Sequence, residues 1–325
     1  MSLPDAARYA MDAAHAIGAA FEDLDNGGGY LFRIARGERS VLSGAYGVCT
    51  YPVNGATPYT IARDKSHAKS VLRAAGLPVI HGGLFFAHKR RVQMRGPGRE
   101  VEDAAAFAAQ LGYPVFCKPN AGGRGNLAEL VPDEAALFDY AERAARDFES
   151  FLVEEVVTGD EHRVVVQDGE GVFWSAKLPA ILEGDGASTL EQLLGRHNAA
   201  LDGSGVSPVA LNVLDAAGLD RGATPARGER IALPGRRNLS AAGGVETISE
   251  TVPPPLLALA RAATQAIGLR VSAVDIFDRS PERDLSDLVI IEVNGNPGLR
   301  TLETAGRMDI IRALWTRMLT ELLEA

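Results

Sequence analysis

The stretch IIEVNGNPGLR, residues 290–300, sets an apolar run against two polar side chains and an abrupt turn. Side chains alternate along a strand, so Glu292 and Asn294 lie on the same face. A charged side chain within an apolar strand is costly unless it has a partner. The two residues therefore either line the wet face of an edge strand or hold a ligand.

A carboxylate in the preceding apolar run decides between these readings. The run VSAVDIFD carries Asp275, which lies opposite Glu292 or Asn294 if the two runs pair as antiparallel strands. Two adjacent carboxylates repel each other, and a divalent cation removes that cost. Carboxylate and carboxamide oxygens are hard ligands that suit Mg²⁺ bridging nucleotide phosphates. Each residue alone is more typical of a half-exposed sheet, but the trio followed by NPGL favours a metal site.

A glycine-rich turn follows a second apolar run in FCKPNAGGRGN, residues 116–126. The strand delivers Lys118, whose charge suits phosphate oxygens. The turn that follows contains Gly122, Gly123, Arg124, Gly125 and Asn126. Backbone N–H groups in such a loop can approach phosphates because glycine has no side chain in the way. Such turns are common, and neither GxxxxGK[ST] nor an early GxGxxG is present, so a P-loop or dinucleotide fold is disfavoured.

The third motif is FLVEEVVTGDEHR, residues 151–163. The strand through Glu154, Glu155 and Val157 offers a hydrophobic slot whose backbone can hydrogen-bond an adenine edge. Glu161, four residues beyond Val157, can accept bonds from two ribose hydroxyls. A strand–turn–strand with exposed acids is the alternative, and it would be preferred if this motif stood alone.

Composition limits the class of protein. The chain has 325 residues, a formal net charge of −9 and two cysteines, Cys49 and Cys117. The acidic balance disfavours nucleic acid and anionic membranes as partners. We see neither a signal peptide nor an apolar run long enough for a membrane span. Two cysteines make neither a disulfide framework nor a metal cluster, so we expect a cytoplasmic protein.

Periodicity and capping residues predict the elements around these motifs. Helices are expected over residues 4–24, 64–78, 102–112, 133–147, 188–201, 254–268 and 303–324. Strands are expected at YLFRIA, RSVLSGAYG, YPVFCKP, FLVEEVV, HRVVVQ and the two runs around Asp275 and Glu292. The polar, glycine-rich segment 178–235 is too long for a plain loop.

The three motifs, in this order, resemble the ATP-grasp superfamily over about residues 60–305. The resemblance is strongest to the ATP-grasp domain of cyanophycin synthetases, with D-alanine–D-alanine ligases and glutathione synthetases as wider relatives. Further matching stretches are IARDKSHAKSVLRAAGLPV, ILEGDGASTLEQLL and RRNLSAAGG. The chain does not match the long leading domain or the Mur-ligase-like domain of cyanophycin synthetases, so we do not expect cyanophycin polymerisation.

The resemblance implies a fold and a site. The fold is α+β and α/β: two ATP-grasp lobes, 61–150 and 151–325 with an insertion at 178–235, clasp ATP after a short N-terminal α/β lobe, 1–60. The implied ATP-binding residues are Lys65, Lys118, Gly122, Gly123, Arg124, Gly125, Asn126, Glu154, Glu155, Val157 and Glu161. The implied Mg²⁺ ligands, which also suit Mn²⁺, are Asp275, Glu292 and Asn294. The implied catalytic residues are Asn238 with Arg236 or Arg237, and Arg300 for a substrate carboxylate.

One position departs from the family pattern. Many D-alanine ligases carry an arginine two residues before the metal-binding aspartate, where this chain has Ala273. The missing charge must come from elsewhere, and Arg237 is the sequence candidate.

Three hypotheses follow. The first is an ATP-dependent ligase that joins a small carboxylate to an amine such as an amino acid or peptide. The second is a ligase that modifies a protein or peptide tail, docked on the basic loop 88–100. The third is a nucleotide-binding module without catalysis, which the intact Asp275, Glu292 and Asn294 set disfavours. A homo-oligomer is expected if a partner subunit completes the acceptor site.

Overall fold

The computed structural model describes residues 3–90, 92–123, 125–178, 181–200, 209, 211–233 and 244–324. These residues form sheets of three, four and five strands and one two-stranded sheet. The predicted mixture of α+β and α/β structure is confirmed. Among the described helices, none combines the length and the apolar character needed to cross a membrane.

The N-terminal unit is an antiparallel three-stranded sheet with one helix. Its elements are α1 (Asp5–Ala16), β1 (Ala20–Asp23), β2 (Leu31–Arg36) and β3 (Arg39–Gly44). The predicted helix over 4–24 is wrong beyond Ala16. The chain turns at Gly18, which has a φ of 69°, and the residues that follow pair with β2. A φ in this range suits glycine and ends the helix.

Two consecutive helices lead to the next sheet, α2 (Ala56–Arg63) and α3 (Lys65–Ala74). The Asp64 carboxylate begins α3 by accepting the His67 backbone N–H at 2.8 Å, which satisfies one of the free donors of the first turn. Asn120 holds the same helix start, because its Oδ1 accepts the Ser66 backbone N–H at 2.9 Å. The first residues of α3 are thereby fixed to the end of a distant strand.

A four-stranded antiparallel sheet follows, with two helices on one face. Its elements are β4 (Gly82–Phe86), α4 (Val101–Leu111), β5 (Val115–Pro119), β6 (Glu129–Val131), α5 (Glu134–Ala144) and β7 (Ser150–Glu154). The strand order is β4-β7-β5-β6. Leu137, Tyr140 and Phe151 are fully buried in the core under the helices. The basic loop before α4 contains a short 3₁₀ turn at Val92–Met94.

Two long strands, β8 (Asp160–Gln167) and β9 (Glu170–Leu178), open the largest sheet, and a small α/β unit follows them. That unit comprises β10 (Ile181–Glu183), α6 (Leu190–Ala200), α7 (Asn212–Ala216) and β11 (Arg230–Ala232). Its own small core contains Leu182, Leu194 and Leu214. The helix expected inside segment 178–235 is confirmed as α6.

The remaining strands complete the five-stranded antiparallel sheet, in the order β12-β9-β8-β13-β14. These elements are β12 (Gly244–Ser249), α8 (Pro254–Ile267), β13 (Val271–Asp278) and β14 (Leu288–Asn294). Gly268 ends α8 in the left-handed conformation, as its position beyond the apolar stripe predicts. The predicted antiparallel pairing of the last two strands is confirmed, with Asp275 directly opposite Glu292.

Both faces of this sheet are covered. Helices α2, α3 and α8 pack against one face. The closing helices α9 (Arg300–Thr304) and α10 (Met308–Glu324) follow β14, and α10 joins the N-terminal unit over the other face. The closing helix expected over 303–324 is thus two helices with Gly306 between them at a φ of 73°. The chain ends are tied together by α1 and α10, which pack side by side.

The two larger sheets meet along a cleft. Lys118 at the end of β5 lies on one wall, and Asp275 and Glu292 lie on the other. The strand β7 starts at Ser150, next to the predicted lobe boundary, and pairs with β4 and β5. The predicted domain limits themselves remain a prediction.

Candidate active site

The cleft between the two sheets encloses a cavity of about 200 Å³. Its apolar lining comes from both sheets and includes Ile80, Phe116, Leu130, Phe277 and Ile291. The cavity brings together most of the residues predicted to bind ATP: Lys65, Lys118, Gly122, Gly123, Gly125, Asn126, Glu154, Glu155, Val157 and Glu161. Arg124, also predicted there, lies outside the described residues. An apolar cavity with a few converging polar groups is typical of a ligand site.

One wall of the cleft carries two lysines on one buried carboxylate. Lys118 Nζ lies 2.9 Å from Glu154 Oε2, and Lys69 contacts the other oxygen of Glu154. Burial lowers the pKa of Lys69 to about 8, although Glu154 opposes the shift. Burial also acts against the charge on Lys118, but Glu154 and Glu292 outweigh it and raise the pKa of Lys118. This wall therefore holds more positive than negative charge.

The sequence reading missed Lys69. It lies one turn after Lys65 on α3, and residues four apart share a helix face. That spacing was the available signal, but Ala68, Val71 and Leu72 around Lys69 indicate the packed face of the helix, and only Lys65 was predicted to bind ATP. Lys69 is only 3% exposed, so its amine is held among protein groups and not in solvent.

Lys65 connects α3 to the glycine-rich turn. Its Nζ donates to the Gly122 carbonyl at 2.9 Å. Burial lowers the pKa of Lys65, with Glu292 as the strongest opposing influence. Gly122 has a φ of 118°, where other residues are strained, and a side chain there would meet the Phe148 ring at 3.2 Å. The sequence choice of glycine at 122 is therefore required by the shape of the turn.

The opposite wall carries the predicted metal ligands. Asp275 and Glu292 are cross-strand partners, and Asn294 Nδ2 donates to Glu292 Oε1 at 3.0 Å. The same amide nitrogen lies 3.5 Å from Asp275 Oδ2. All three side chains thus converge near the end of β14, opposite the middle of β13. Asp275 and Glu292 line the cleft, whereas Asn294 lines an adjoining cavity that also contains Lys65 and Glu292.

Two cations that sequence reasoning missed neutralise Asp275. Arg163 makes a bidentate pair with it, at 2.8 and 2.7 Å, and Lys177 Nζ lies 3.0 Å from Oδ1. Burial favours the neutral form of Asp275, but Arg163 and Lys177 outweigh it and hold the pKa well below its ordinary value of 3.8. The strand register explains the pair, since Arg163 lies directly opposite Asp275.

Arg163 and Lys177 explain how the site can lack the arginine that many D-alanine ligases have at the position of Ala273. Ala273 is fully buried, and Arg163 on the neighbouring strand brings a guanidinium to the metal-binding aspartate. Sequence reasoning nominated Arg237 for that charge, but Arg236, Arg237 and Asn238 lie outside the described residues. Residues two apart on a strand share a face, so the position of Arg163 two residues after Glu161 was the signal that could have placed Arg163 in the site.

The residues predicted to bind adenine and ribose also line the cleft. Glu155 makes two hydrogen bonds to the backbone of His81. Its carboxylate accepts the His81 backbone N–H at 3.0 Å, and its own backbone N–H donates to the His81 carbonyl at 3.0 Å. Glu161 pairs with Lys177. Glu154, predicted to contact adenine, has both carboxylate oxygens on lysines. The backbone from Glu155 to Thr158 lines the cavity without regular strand pairing.

Arg300 is not part of this cleft. It is the first residue of α9 and lines a separate cavity beyond Asn296. The catalytic residues predicted from sequence are therefore not brought together within the part of the chain that the structure describes.

The donor set on the metal wall fits a hard divalent cation. No group of three or more His, Cys, Asp or Glu residues that could hold a metal occurs among the described residues. Mg²⁺ commonly binds through one or two carboxylates together with substrate phosphates, so a complete protein cage is not needed. Asp275 and Glu292 supply two carboxylates, and rotation of the Asn294 amide would turn its oxygen towards them.

Comparisons with known proteins give the relatives of this chain. Residues 64–171 match the family model for the carbamoyl-phosphate synthase L chain, ATP binding domain. A cyanophycin synthetase from Trichormus variabilis is 30% identical over 254 residues, covering 74% of this chain and 27% of that protein. The glutathione biosynthesis bifunctional protein GshAB of Streptococcus mutans is 26% identical over 256 residues, covering 73% of this chain and 32% of that protein.

A solved structure shares the fold. The crystal structure of a bifunctional glutathione synthetase from Pasteurella multocida superposes with a TM-score of 0.52 at 21% identity, covering 96% of this chain and 43% of that chain. The chain thus spans about a third or less of the length of the curated relatives named here, which are covered to 27% and 32%.

Proposed function

Because this chain belongs to the ATP-grasp superfamily, we propose that it is an ATP-dependent carboxylate–amine ligase. It activates a carboxylate as an acyl phosphate, joins it to an amine, and releases ADP and phosphate. The observation that carries the proposal is the pair of oppositely charged walls on one cleft. Lysines Lys65, Lys69 and Lys118 lie on one side, and Asp275 and Glu292 lie on the other.

The lysine wall is suited to the phosphates of ATP. Lys65 and Lys118 line the cavity together with Gly122, Gly123 and Gly125 of the glycine-rich turn, whose backbone a phosphate can approach closely. Lys69 and Lys118 both pair with Glu154. One carboxylate cannot neutralise two lysines, so part of the positive charge on Lys118 is left for a phosphate. Apolar side chains from both sheets line the space between the walls, so a bound nucleotide would displace water there and strengthen each electrostatic contact.

Asp275, Glu292 and Asn294 would hold Mg²⁺, with Mn²⁺ as a substitute. When bound, the cation neutralises charge on the phosphate oxygens of the nucleotide. Arg163 fixes the Asp275 side chain through two hydrogen bonds and leaves Glu292 without an arginine or lysine partner among the described residues. Glu292 is therefore the carboxylate most available to an incoming cation.

The proposed chemistry has two steps. A carboxylate oxygen of the acid attacks the γ-phosphorus of ATP, the bond to ADP breaks, and an acyl phosphate forms. The amine then attacks the acyl carbon, a C–N bond forms, phosphate leaves with the electron pair of the C–O bond, and the amine loses a proton. Positive groups near the transferring phosphoryl group stabilise the charge that develops there. The protein mainly positions the reactants, so no nucleophilic side chain is required.

Nucleotide product analysis tests the proposal. The protein is incubated with ATP, Mg²⁺, pooled carboxylic acids and hydroxylamine, which traps acyl phosphates as hydroxamates. We expect ADP, phosphate and a hydroxamate in equal amounts. Formation of AMP and pyrophosphate would mean adenylation and would overturn the acyl-phosphate mechanism. ATP binding without any turnover on the pool would instead favour a protein-borne substrate or a non-catalytic module.

The tail-modifying alternative receives no specific support from the basic loop. Arg95 in that loop stacks on Phe86 and donates to the backbone carbonyls of His88 and Arg90, and Lys89 lies 3.6 Å from Glu102. Arg95 is thus committed within the loop, whereas the pair of Lys89 with Glu102 is exposed and weak. With no contact that favours a tail, a small-molecule acid and amine are the substrates of the proposal.

A further inference from the structure

Exposed large apolar side chains are concentrated in the N-terminal unit. Nine such side chains occur in the described part of the chain, and five of them lie between residues 30 and 48: Tyr30, Leu31, Leu42, Tyr46 and Val48. The other four are spread from residue 92 to residue 156. Single exposed apolar side chains are ordinary, but a cluster of them indicates a surface that contacts another molecule.

One face of the small sheet β1-β2-β3 is left open. Phe32 and Ile34 of β2 are fully buried in the core that α1 and α10 share. Side chains alternate along a strand, so Leu31 and Arg33 turn to the opposite face. Leu42 of β3 lies directly opposite Arg33 and is 56% exposed. The open face therefore reaches the edge of the sheet with an exposed leucine on its last strand.

The outer edge of β3 carries unpaired backbone groups. The Ala45 backbone N–H donates to the Tyr30 carbonyl at 3.0 Å, and hydrogen-bonded pairs alternate along an antiparallel ladder. The backbone groups of Ser40 and Leu42 therefore point away from β2. They have no hydrogen-bond partner among the residues that the structure describes.

Other sheet edges are covered or unsuited to pairing. On the edge strand β14, the Ile290 backbone N–H donates to the Pro78 carbonyl at 2.9 Å, and its carbonyl accepts the Ile80 N–H at 3.2 Å. The edge strand β1 has only four residues, and two of them are acidic. In contrast, β3 has six residues, Arg39 as its single charge and no proline. A strand edge without such protection is a template for another strand.

We propose that β3 pairs with β3 of a second copy of this chain, antiparallel, across a two-fold axis at Val41. Ser40 of each copy then lies opposite Leu42 of the other, and each such pair exchanges both of its N–H···O=C bonds. Two three-stranded sheets thereby become one continuous sheet. The contact is isologous, so it closes at a dimer.

The side chains of this pairing match in size. Leu42 of one copy lies beside Ser40 of the other, and Ala35 is the next neighbour, because Ala35 is opposite Ser40 within each chain. Each exposed leucine therefore meets small side chains on the open face. The Val41 side chains of the two copies meet at the axis, and β-branched cross-strand pairs stabilise a sheet.

The charges of this pairing match as well. Arg39 of one copy lies opposite Ser43 of the other, so the two arginines are four residues apart along the strands. That spacing is about 13 Å, longer than the screening length of about 8 Å at physiological salt. Arg33 on the open face is already balanced by Glu22 of its own chain, at 3.0 Å. A face with both signs and an apolar edge suits an identical face better than an acidic or a basic partner.

The pairing also places the second copy beside the proposed active site. Residues 37–39 of the second copy lie opposite residues 43–45 of the first. The next residue, Tyr46, is 67% exposed and lines the cavity of about 360 Å³ that adjoins the cleft and contains Lys65 and Glu292. The hairpin turn with Glu38 of the second copy therefore lies next to the entrance of that cavity.

Sedimentation equilibrium over a range of protein concentrations tests the dimer. We expect the mass to rise towards twice the 34.4 kDa of one chain. Leu42→Lys and Ser40→Pro should each weaken the association at least about tenfold, since an edge lysine or proline blocks strand pairing and an edge proline is compatible with the fold. Phe138→Lys is the matched control, because Phe138 is also an exposed apolar residue but lies on α5.

A cysteine at the axis tests the register. In a Cys49→Ser background, Val41→Cys should form a disulfide-linked dimer under a mild oxidant, because residues directly opposite on antiparallel strands have Cβ atoms about 5 Å apart. Leu31→Cys, on the same sheet but one strand further from the axis, should not. A monomer at every concentration, a dimer that Leu42→Lys and Ser40→Pro leave intact, or equal cross-linking of both cysteines would overturn the proposal.

Discussion

The two walls of the cleft place buried charge in opposite ways. On one wall, Lys118 of the four-stranded sheet and Lys69 of helix α3 share the single carboxylate of Glu154. On the five-stranded sheet, Arg163 and Lys177 face three carboxylates, those of Glu161, Asp275 and Glu292. One wall is therefore short of negative charge and the other short of positive charge. Buried charges are stable only when paired, so this imbalance indicates a ligand that carries both signs, as a nucleotide with its divalent cation does.

The largest effect is expected from removing charge on the metal wall. Glu292→Gln should lower turnover by at least about 100-fold, because the carboxylate that balances the cation is lost. The fold should persist, since within the described residues the Glu292 side chain only accepts a hydrogen bond from Asn294. Steady-state ADP release measures the turnover, and far-ultraviolet circular dichroism measures whether the fold is kept. Glu282→Gln, an exposed residue in the loop between β13 and β14, is the control. Wild-type turnover in Glu292→Gln would remove Glu292 from the metal site.

A change on the lysine wall should instead affect stability. Lys118→Met leaves buried Glu154 with Lys69 alone, and breaking a buried ion pair typically costs about 3 kcal/mol of the free energy of unfolding. Urea unfolding measures the loss. Lys89→Met is the control, because Lys89 and its partner Glu102 are both exposed and such pairs contribute little. Equal stability of the two variants would mean that Glu154 is not held by Lys118.

The smallest effect concerns pH and distinguishes the two lysines on Glu154. Lys69 has its pKa lowered to about 8, mainly by burial, so it loses its proton as the pH rises through that value. Lys118 has its pKa raised above the ordinary 10.5 and stays charged. Affinity for ATP should therefore fall about fivefold as the pH rises through the pKa of Lys69. A fivefold change corresponds to ~1 kcal/mol, the attraction between two opposite unit charges about 4 Å apart in water.

Lys69→Arg provides the test of that assignment. Arginine keeps its charge throughout this range, so the fall in ATP affinity with pH should disappear in the variant. Calorimetric titration with an ATP analogue at several pH values measures it. A fall of the same size in Lys69→Arg would show that another group controls the pH dependence.

Local patterns predicted one part of this site well. Strand alternation placed Glu292 and Asn294 on one face, and the antiparallel pairing put Asp275 opposite Glu292, as expected. Glycine signals also ended helices correctly, as at Gly268. These features depend on residues close together in sequence or on two strands joined by one short connection, so pattern and spacing are sufficient to predict them.

The counter-charges could not be read in the same way. Lys69, Arg163 and Lys177 reach their carboxylates through pairings between elements that lie far apart in sequence. Each looked like an ordinary helix or strand residue, because partner choice depends on how helices and sheets pack and on strand register. The first helix was also predicted too long, since the alanine-rich pattern continues past Gly18 while the backbone reverses there.

The most direct test of the two-wall account is a cycle of nucleotide affinities. Binding of an ATP analogue is measured with Mg²⁺ and with the metal removed by chelation, for the wild type, Lys65→Met and Glu292→Gln. The account predicts that Lys65→Met weakens binding about tenfold in both conditions and keeps the gain from Mg²⁺. Glu292→Gln should abolish that gain and leave metal-free binding equal to or tighter than wild type. An unchanged gain from Mg²⁺ in Glu292→Gln would contradict the account.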